Sequence, residues 1–554
     1  MNAGLARLGS GLAWVLLLAA CQPGHSPTAG MVGGAAGARP PRAATVSAGR
    51  AQSAVSDTAR TDTPAASAGG IAWFPGSVEQ ALATARRERR PVMLFWGAQW
   101  CPFCHTLKAS VFTRPDFIAR TRLFIPVYLD GDDPGAQRWG ERFAILGYPT
   151  LVLLDPDGHE LLRLGAGRDV SEYAATLDVA LQRVQPVDSL LLAAAGGRHL
   201  AADECRRLAY NSWELDTLEP GQYARRAAQL LAAAEACPAH AALERARLLV
   251  YAAGYAADAA APAAPAASLR RLSDQVLGIL QDPGLARTCA PALQNLDEPF
   301  FAAVRRRGPR AVRALRAGYV STMDAAAADP SYVTADQLGF IDAKIVALKS
   351  LAPGQPLNPA VARAADRRID AALAAEQSPY VRPGLVNAAL NILEDSGQYQ
   401  KAYVIAKDEI SRSDTPYYYQ ADLAEVAEQL GHRREALHLL AEAYRGARGP
   451  ATRFQWGKLY LSGLLRMAPQ DGVRIEQVGL QVLGELDGND RIADRARVRL
   501  GQLDQELRAW NSATHGAHAQ VLGVLRARMQ TECVRLPPQA PAHASCEAFL
   551  ARAT

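Results

Sequence analysis

The chain has 554 residues, 49% of them hydrophobic, and carries 60 Lys and Arg against 55 Asp and Glu for a net charge of +5. That apolar fraction suffices for one small and one large folded domain. The charge is too small and too evenly spread to favour nucleic acid as a partner. The densest basic run, Arg305, Arg306 and Arg307 with Arg310, Arg313 and Arg316, reads as a solvated helix face rather than an anion site.

In chain order, Arg7 precedes an apolar run over residues 12–20 and then Cys21. The run is too short to span a bilayer and has the layout of a secretory leader. Leu18-Ala19-Ala20-Cys21 resembles the bacterial lipobox, in which the cysteine is lipidated and becomes the new N-terminus. The expected organisation is a signal peptide over residues 1–21 and a tether over 22–70, too poor in large apolar residues to fold. A small folded domain over 71–185 and a helical region over 186–554 complete it. The lipobox implies the periplasmic face of a bacterial membrane, held through the N-terminal lipid. Gln22, where an aspartate would signal retention at the inner membrane, leans towards the outer membrane.

Ser77-Val78-Glu79-Gln80 reads as a capping box opening a helix to about residue 88. Residues 91–96 form a continuous apolar strand. A helix over 101–111 follows, and Pro115 breaks or restarts it. A second strand is expected over 123–129, a helix over 134–145 and a third strand over 150–154. Asp155-Pro156-Asp157-Gly158 is a turn in which Pro fixes φ and Gly accepts φ > 0. Residues 159–164 complete a hairpin, and a last helix covers 170–184.

The chemistry-bearing stretch is Trp100-Cys101-Pro102-Phe103-Cys104, directly after the first strand. A strand-to-helix turn there places two thiols for reversible disulfide chemistry. Helix N-terminal N–H groups and the helix dipole favour the Cys101 thiolate, which is the nucleophile. A structural zinc needs four ligands, and no second Cys-x-x-Cys or Cys-x-x-His lies nearby, so no metal and no cofactor is expected.

The order βαβαββα, with Phe95-Trp96, Trp100-Cys101-x-x-Cys104, Gly147-Tyr148-Pro149-Thr150 and Asp155-x-Asp157-Gly158, resembles the thioredoxin superfamily, close to bacterial thioredoxin-related periplasmic proteins. The resemblance implies an α/β thioredoxin-like fold and a cis Pro149 facing the disulfide. It implies that the backbone of Tyr148 pairs with a substrate strand, that Trp100 shields the site, that Cys101 attacks and that Cys104 resolves. His105 and Lys108 are candidates for adding positive potential near the sulfurs. Two departures stand out. Met93, Leu94 and Phe95 leave no buried acid in the strand before the motif, and the dipeptide between the cysteines is Pro102-Phe103 rather than Gly-Pro. Potentials across such folds run from about −270 to about −120 mV, so the motif does not fix the direction of electron flow.

From residue 186 on, amphipathic helix patterns alternate with short breaks. Gly397-Gln-Tyr-Gln-Lys-Ala402 recurs as Gly431-His-Arg-Arg-Glu-Ala436, thirty-four residues on, a period that resembles tetratricopeptide repeats. An all-α helical-repeat region follows from it, with an Ala/Pro-rich loop over 256–267. Tyr417, Tyr418, Tyr419, Trp456 and Tyr460 are groove candidates for which core packing is the competing role. Cys205 with Cys237 and Cys533 with Cys546 are candidate disulfides that leave Cys289 free, although sequence does not determine connectivity.

Three functional readings follow. The first is a membrane-tethered thiol–disulfide oxidoreductase, reductase favoured, acting on protein thiols and disulfides with electrons from a membrane donor protein, its helical half holding clients. The second is a protein-binding scaffold whose thioredoxin domain is structural. The third is a disulfide oxidase or isomerase using the same residues.

Overall fold

The computed structural model of the chain describes residues 70–551 apart from 183, 184, 217, 219, 259–265, 377 and 488–493. The leader, Cys21, nearly all of the tether and most of the Ala/Pro loop therefore lie outside the described residues.

Helix α1 (Val78–Glu88) opens on the expected capping box: the Gln80 N–H donates to Ser77 Oγ at 3.3 Å and the Ser77 N–H to Gln80 Oε1 at 2.9 Å. There follow β1 (Val92–Gly97), α2 (Pro102–Ser110), α3 (Pro115–Thr121), β2 (Ile125–Asp130), α4 (Pro134–Arg142), β3 (Thr150–Leu154), β4 (Glu160–Leu164) and α5 (Val170–Leu181). The sheet order is β2-β1-β3-β4, with β1 parallel to β2 and antiparallel to β3, and β3 antiparallel to β4. Strand β1 lies in the middle and is buried throughout, which is why it reads as an unbroken apolar run. Its alternate residues face two cores. Met93 and Phe95 join Phe117, Leu153 and Leu177 on one side, and Val92, Leu94 and Trp96 join Leu82, Val127 and Phe143 on the other.

The second strand begins at Ile125 rather than 123. The Leu123 and Phe124 N–H groups donate to carbonyls of Arg120 and Thr121, closing the end of α3, and Leu123 is 51% exposed. Pairing starts where Ile125 meets Val92.

After residue 186 every regular element among the described residues is helical. Gly397 (φ 76°) follows the helix Arg382–Asp395, and Gly431 (φ 83°) follows the helix Pro416–Gln429. At both positions the next residue's N–H reaches back to a carbonyl of the last turn, Gln398 to Leu393 at 2.6 Å and His432 to Ala427 at 2.8 Å. That closure puts the glycine in the left-handed region, where a side chain is strained. Ala402, Ala406, Ala436, Leu440 and Ala443 are buried between these helices. Disulfides join Cys205 to Cys237 and Cys533 to Cys546, and Cys289 is a buried free thiol. No described helix is long and apolar enough to cross a membrane.

The helical half grips the α/β domain along the β4 edge, at the start of α5, where Arg247 Nη1 donates to Glu172 Oε1 at 3.1 Å, and at the cysteines. At its base, the exposed edge of β4 is covered by the turn after the helix Ala202–Tyr210. The Ser212 N–H donates to the Arg163 carbonyl at 3.0 Å, the Arg163 N–H to Asn211 Oδ1 at 2.9 Å and the Gly165 N–H to Ser212 Oγ at 2.9 Å. Arg207 donates to the Val179 and Gln182 carbonyls at the end of α5. Another grip lies on the cysteines, beyond the C-terminal end of β1.

Candidate redox site

Strand β1 ends at Gly97, and the chain turns through Trp100 into α2. Cys101 is the N-cap of α2 (φ −85°, ψ 106°) rather than its first helical residue, and the Cys104 N–H donates to Cys101 Sγ at 3.1 Å. Pro102 takes the first helical position, where a missing N–H costs nothing. Cys101 and Cys104 are joined in a disulfide with their Cα atoms 5.2 Å apart. The Tyr148–Pro149 peptide is cis, the geometry the sequence resemblance implies. The Tyr148 hydroxyl donates to the Gly131 carbonyl at 3.1 Å and accepts from Gln137 Nε2 at 3.0 Å. The Trp100 and Tyr148 rings lie 6.0 Å apart. The structure thus gathers Trp100, Cys101, Cys104, Tyr148 and Pro149 at one end of the sheet.

This end of the sheet faces protein rather than solvent. Cys101 is 2% exposed and Cys104 0%. Trp100 Nε1 lies 3.1 Å from Asp132 Oδ2, in the loop after β2, and 3.1 Å from Thr452 Oγ1, in the helix Pro450–Met467. The Thr452 hydroxyl donates to the other oxygen of Asp132. Trp456 meets the Trp100 ring edge-on at 5.2 Å and Tyr418 stacks on it at 6.2 Å. Arg495, from the helix Asp494–Ala513, places its guanidinium 5.3 Å from the Trp100 ring centre and 4.7 Å from that of Tyr148. Arg495 is 4% exposed; its Nη2 donates to Gln455, while Nε and Nη1 have no hydrogen-bond partner. Along α2, His105 stacks on Tyr380 at 4.8 Å. Gly384 approaches so closely that a Cβ there would collide with Thr106 Oγ1.

Burial pushes the Asp132 carboxyl up to about 6, against the downward pull of the Thr452 hydrogen bond, with Asp130 adding to the rise and Arg495 opposing it. Burial, then the charge of Lys108, lowers His105, which favours the neutral ring. Lys108 is itself lowered by burial and turns to Tyr128, 3.0 Å from its hydroxyl. The structure therefore engages both basic residues elsewhere, one with Tyr380 and the other with Tyr128. The stretch Met93 to Phe95 is fully buried and apolar, so β1 supplies no acid beneath the disulfide.

Asp132, Thr452, Arg495, Tyr380 and Gly384 escaped sequence reading, because no local pattern ties the α/β domain to helices hundreds of positions further along the chain. The one available signal was the pair Tyr418 and Trp456, flagged as groove aromatics. Both are buried, and both are spent on Trp100.

A family model described as a thioredoxin-like domain matches residues 78–180. Two curated relatives from Pseudomonas aeruginosa, thiol:disulfide interchange proteins DsbD 2 and DsbD 1, are 30% and 31% identical over 88 residues, 16% of this chain and 15% of each relative. The chain thus spans about 15% of the length of these relatives. A solved structure of the oxidoreductase DsbH aligns at 20% identity over 24% of this chain and 96% of that one, with a TM-score of 0.19. Together with the sheet order, the disulfide turn and the cis proline, the family match identifies residues 78–180 as a thioredoxin-like domain, followed here by a large all-helical region.

Proposed function

We propose that the Cys101–Cys104 pair exchanges disulfides with protein clients, in the reducing direction. The observation that carries this reading is the pair itself, N-capping α2 beside a cis proline. In the reduced form, the Cys101 thiolate attacks a client disulfide, forming a mixed disulfide and expelling one client thiolate. Cys104 Sγ then attacks Cys101 Sγ and expels the second client thiolate. Two electrons pass from the dithiol to the client, and the intramolecular disulfide seen here is the product. A dithiol protein at the membrane restores the reduced form by the reverse exchange. Trp100 and the backbone of Tyr148 hold the client chain.

Insulin disulfide reduction by the full chain tests this. Cys101→Ser abolishes turnover, and Cys104→Ala accumulates mixed disulfides with clients. Turnover that survives Cys101→Ser removes Cys101 as the nucleophile. A potential near about −270 mV supports the reducing direction, and one near about −120 mV reverses it.

A second reading, a scaffold with a structural thioredoxin domain, is favoured by the depth at which the chain's own helices bury the disulfide. Inertness towards insulin in a form whose cysteines are demonstrably accessible would select it.

The cellular setting belongs to the same proposal. Cys21 carries the lipid, and residues 22–70 tether the domains at the periplasmic face of the membrane. Labelled palmitate is incorporated by the wild-type precursor and not by Cys21→Ser; incorporation into both removes Cys21 as the anchor.

A further inference from the structure

We propose that Tyr418, Thr452, Trp456 and Arg495 of the helical half occupy the client position of the redox site, so that thiol exchange at Cys101 requires these helices to leave. The inference rests on the proposed redox function, and it turns the helical half from a client holder into a competitor of clients.

A client disulfide must bring a sulfur into line with Cys101 Sγ while its chain lies along Trp100 and the Tyr148–Pro149 bend. Both of those walls are already taken. The Arg495 guanidinium lies over the Trp100 and Tyr148 rings together, bridging the space between them. Thr452 holds the Trp100 indole N–H and Asp132, and Trp456 and Tyr418 cover the rest of the indole. With Cys101 at 2% and Cys104 at 0% exposure, no second protein reaches either sulfur in this arrangement.

The contacts are those of a separable surface. Trp100, Asp132 and Tyr148 are held across it by side chains and rings, whereas the β4 edge accepts a main-chain hydrogen bond from Ser212 and its own N–H groups donate to the Asn211 and Ser212 side chains. On leaving, Arg495 gives up its place over the Trp100 and Tyr148 rings, and its unpaired guanidinium nitrogens return to water. The Gly384 approach shows how tightly the second contact, on α2, has closed.

The test is the rate at which dithiothreitol reduces Cys101–Cys104 in the full oxidised chain, followed by quenched alkylation and peptide mapping. If the closed form predominates by about 99 to 1, the wild type reacts about a hundredfold more slowly than an oxidised peptide carrying residues 98–108. Thr452→Glu sets a carboxylate against Asp132, Gly384→Val wedges the helix Arg382–Asp395 from α2, and Arg495→Ala empties the client position. Each raises the rate at least about tenfold, while Cys205–Cys237 and Cys533–Cys546 remain as resistant as before; that resistance also reports that the variants are folded. A wild-type rate equal to the peptide's overturns the proposal without any variant. So do unchanged rates in all three variants with the structural disulfides intact.

Insulin reduction separates this inference from the reading beneath it. Opened variants that react with dithiothreitol but never with insulin keep the closure and remove the oxidoreductase. A wild type that turns over insulin as fast as the opened variants keeps the oxidoreductase and removes the closure.

Discussion

Asp132 shows what closing the two halves does to a single residue. Uncovered, its carboxyl has the ordinary aspartate value near 4. Beneath Trp100 and Thr452 it rises to about 6. The closed form therefore holds a proton that the open form releases. Closure is fully favoured below about pH 4 and weakens as pH climbs through about 6. The groups facing the carboxyl are Asp130 at the end of β2, Arg495 and Thr452 on the helical half, and the Trp100, Tyr148 and Tyr417 rings. Reduction of Cys101–Cys104 by a phosphine, with Asp132→Asn as reference, is expected to accelerate from pH 4 to 7 in the wild type relative to the variant. A constant ratio across that range would show that Asp132 does not report on closure. The sequence marked the cysteines and the proline because those positions are dictated locally, by a turn, a helix start and a strand entry. It did not mark Asp132, whose shift is set by burial beneath helices more than three hundred residues further along the chain.

At the scale of elements, the α/β domain was legible nearly throughout. Strand β1 reads as buried because it is central, and α1 reads from its own cap. What shifted were ends: β2 lost residues 123 and 124 to the closure of α3, and Cys101 became a cap. The helical half was legible as helix and in its paired glycines, but not in its docking, which depends on which helix faces turn inward. Its own stability leans on the disulfides. Cys205–Cys237 spans 32 residues between the helices Ala202–Tyr210 and Tyr223–Ala236, and Cys533–Cys546 spans 13 near the C-terminus. Loop-closure entropy assigns them about 4 and about 3 kcal/mol. Replacing Cys205 and Cys237 with Ala is expected to lower unfolding free energy by about that larger amount, read by urea titration. Because the first pair sits beside the grip on β4, its loss also loosens the base of the α/β domain. A loss under about 1 kcal/mol would place the constraint elsewhere.

At the scale of the molecule, and among the described residues, the α/β domain is held along the β4 edge and at the cysteines by the helices that follow it. The contacts at the cysteine end are of ordinary strength: an aromatic pair, a guanidinium over a ring or a hydrogen bond contributes about 1 kcal/mol each. Several together keep the closed form dominant, yet a binding partner can outweigh them. The base is of a different kind. The turn at Asn211 and Ser212 covers the sheet edge through one main-chain hydrogen bond and two from strand N–H groups to its side chains, and these need not break when the cysteines are uncovered. This makes the base a pivot and the covering helices a ligand that cannot diffuse away. Covalent attachment through the helical array gives such a ligand an effective concentration that does not depend on dilution. A client present at micromolar concentration competes poorly against it on affinity for the cysteines alone. On the proposed redox function, such a closure would favour partners that also take hold of the freed helices over disulfides met in passing.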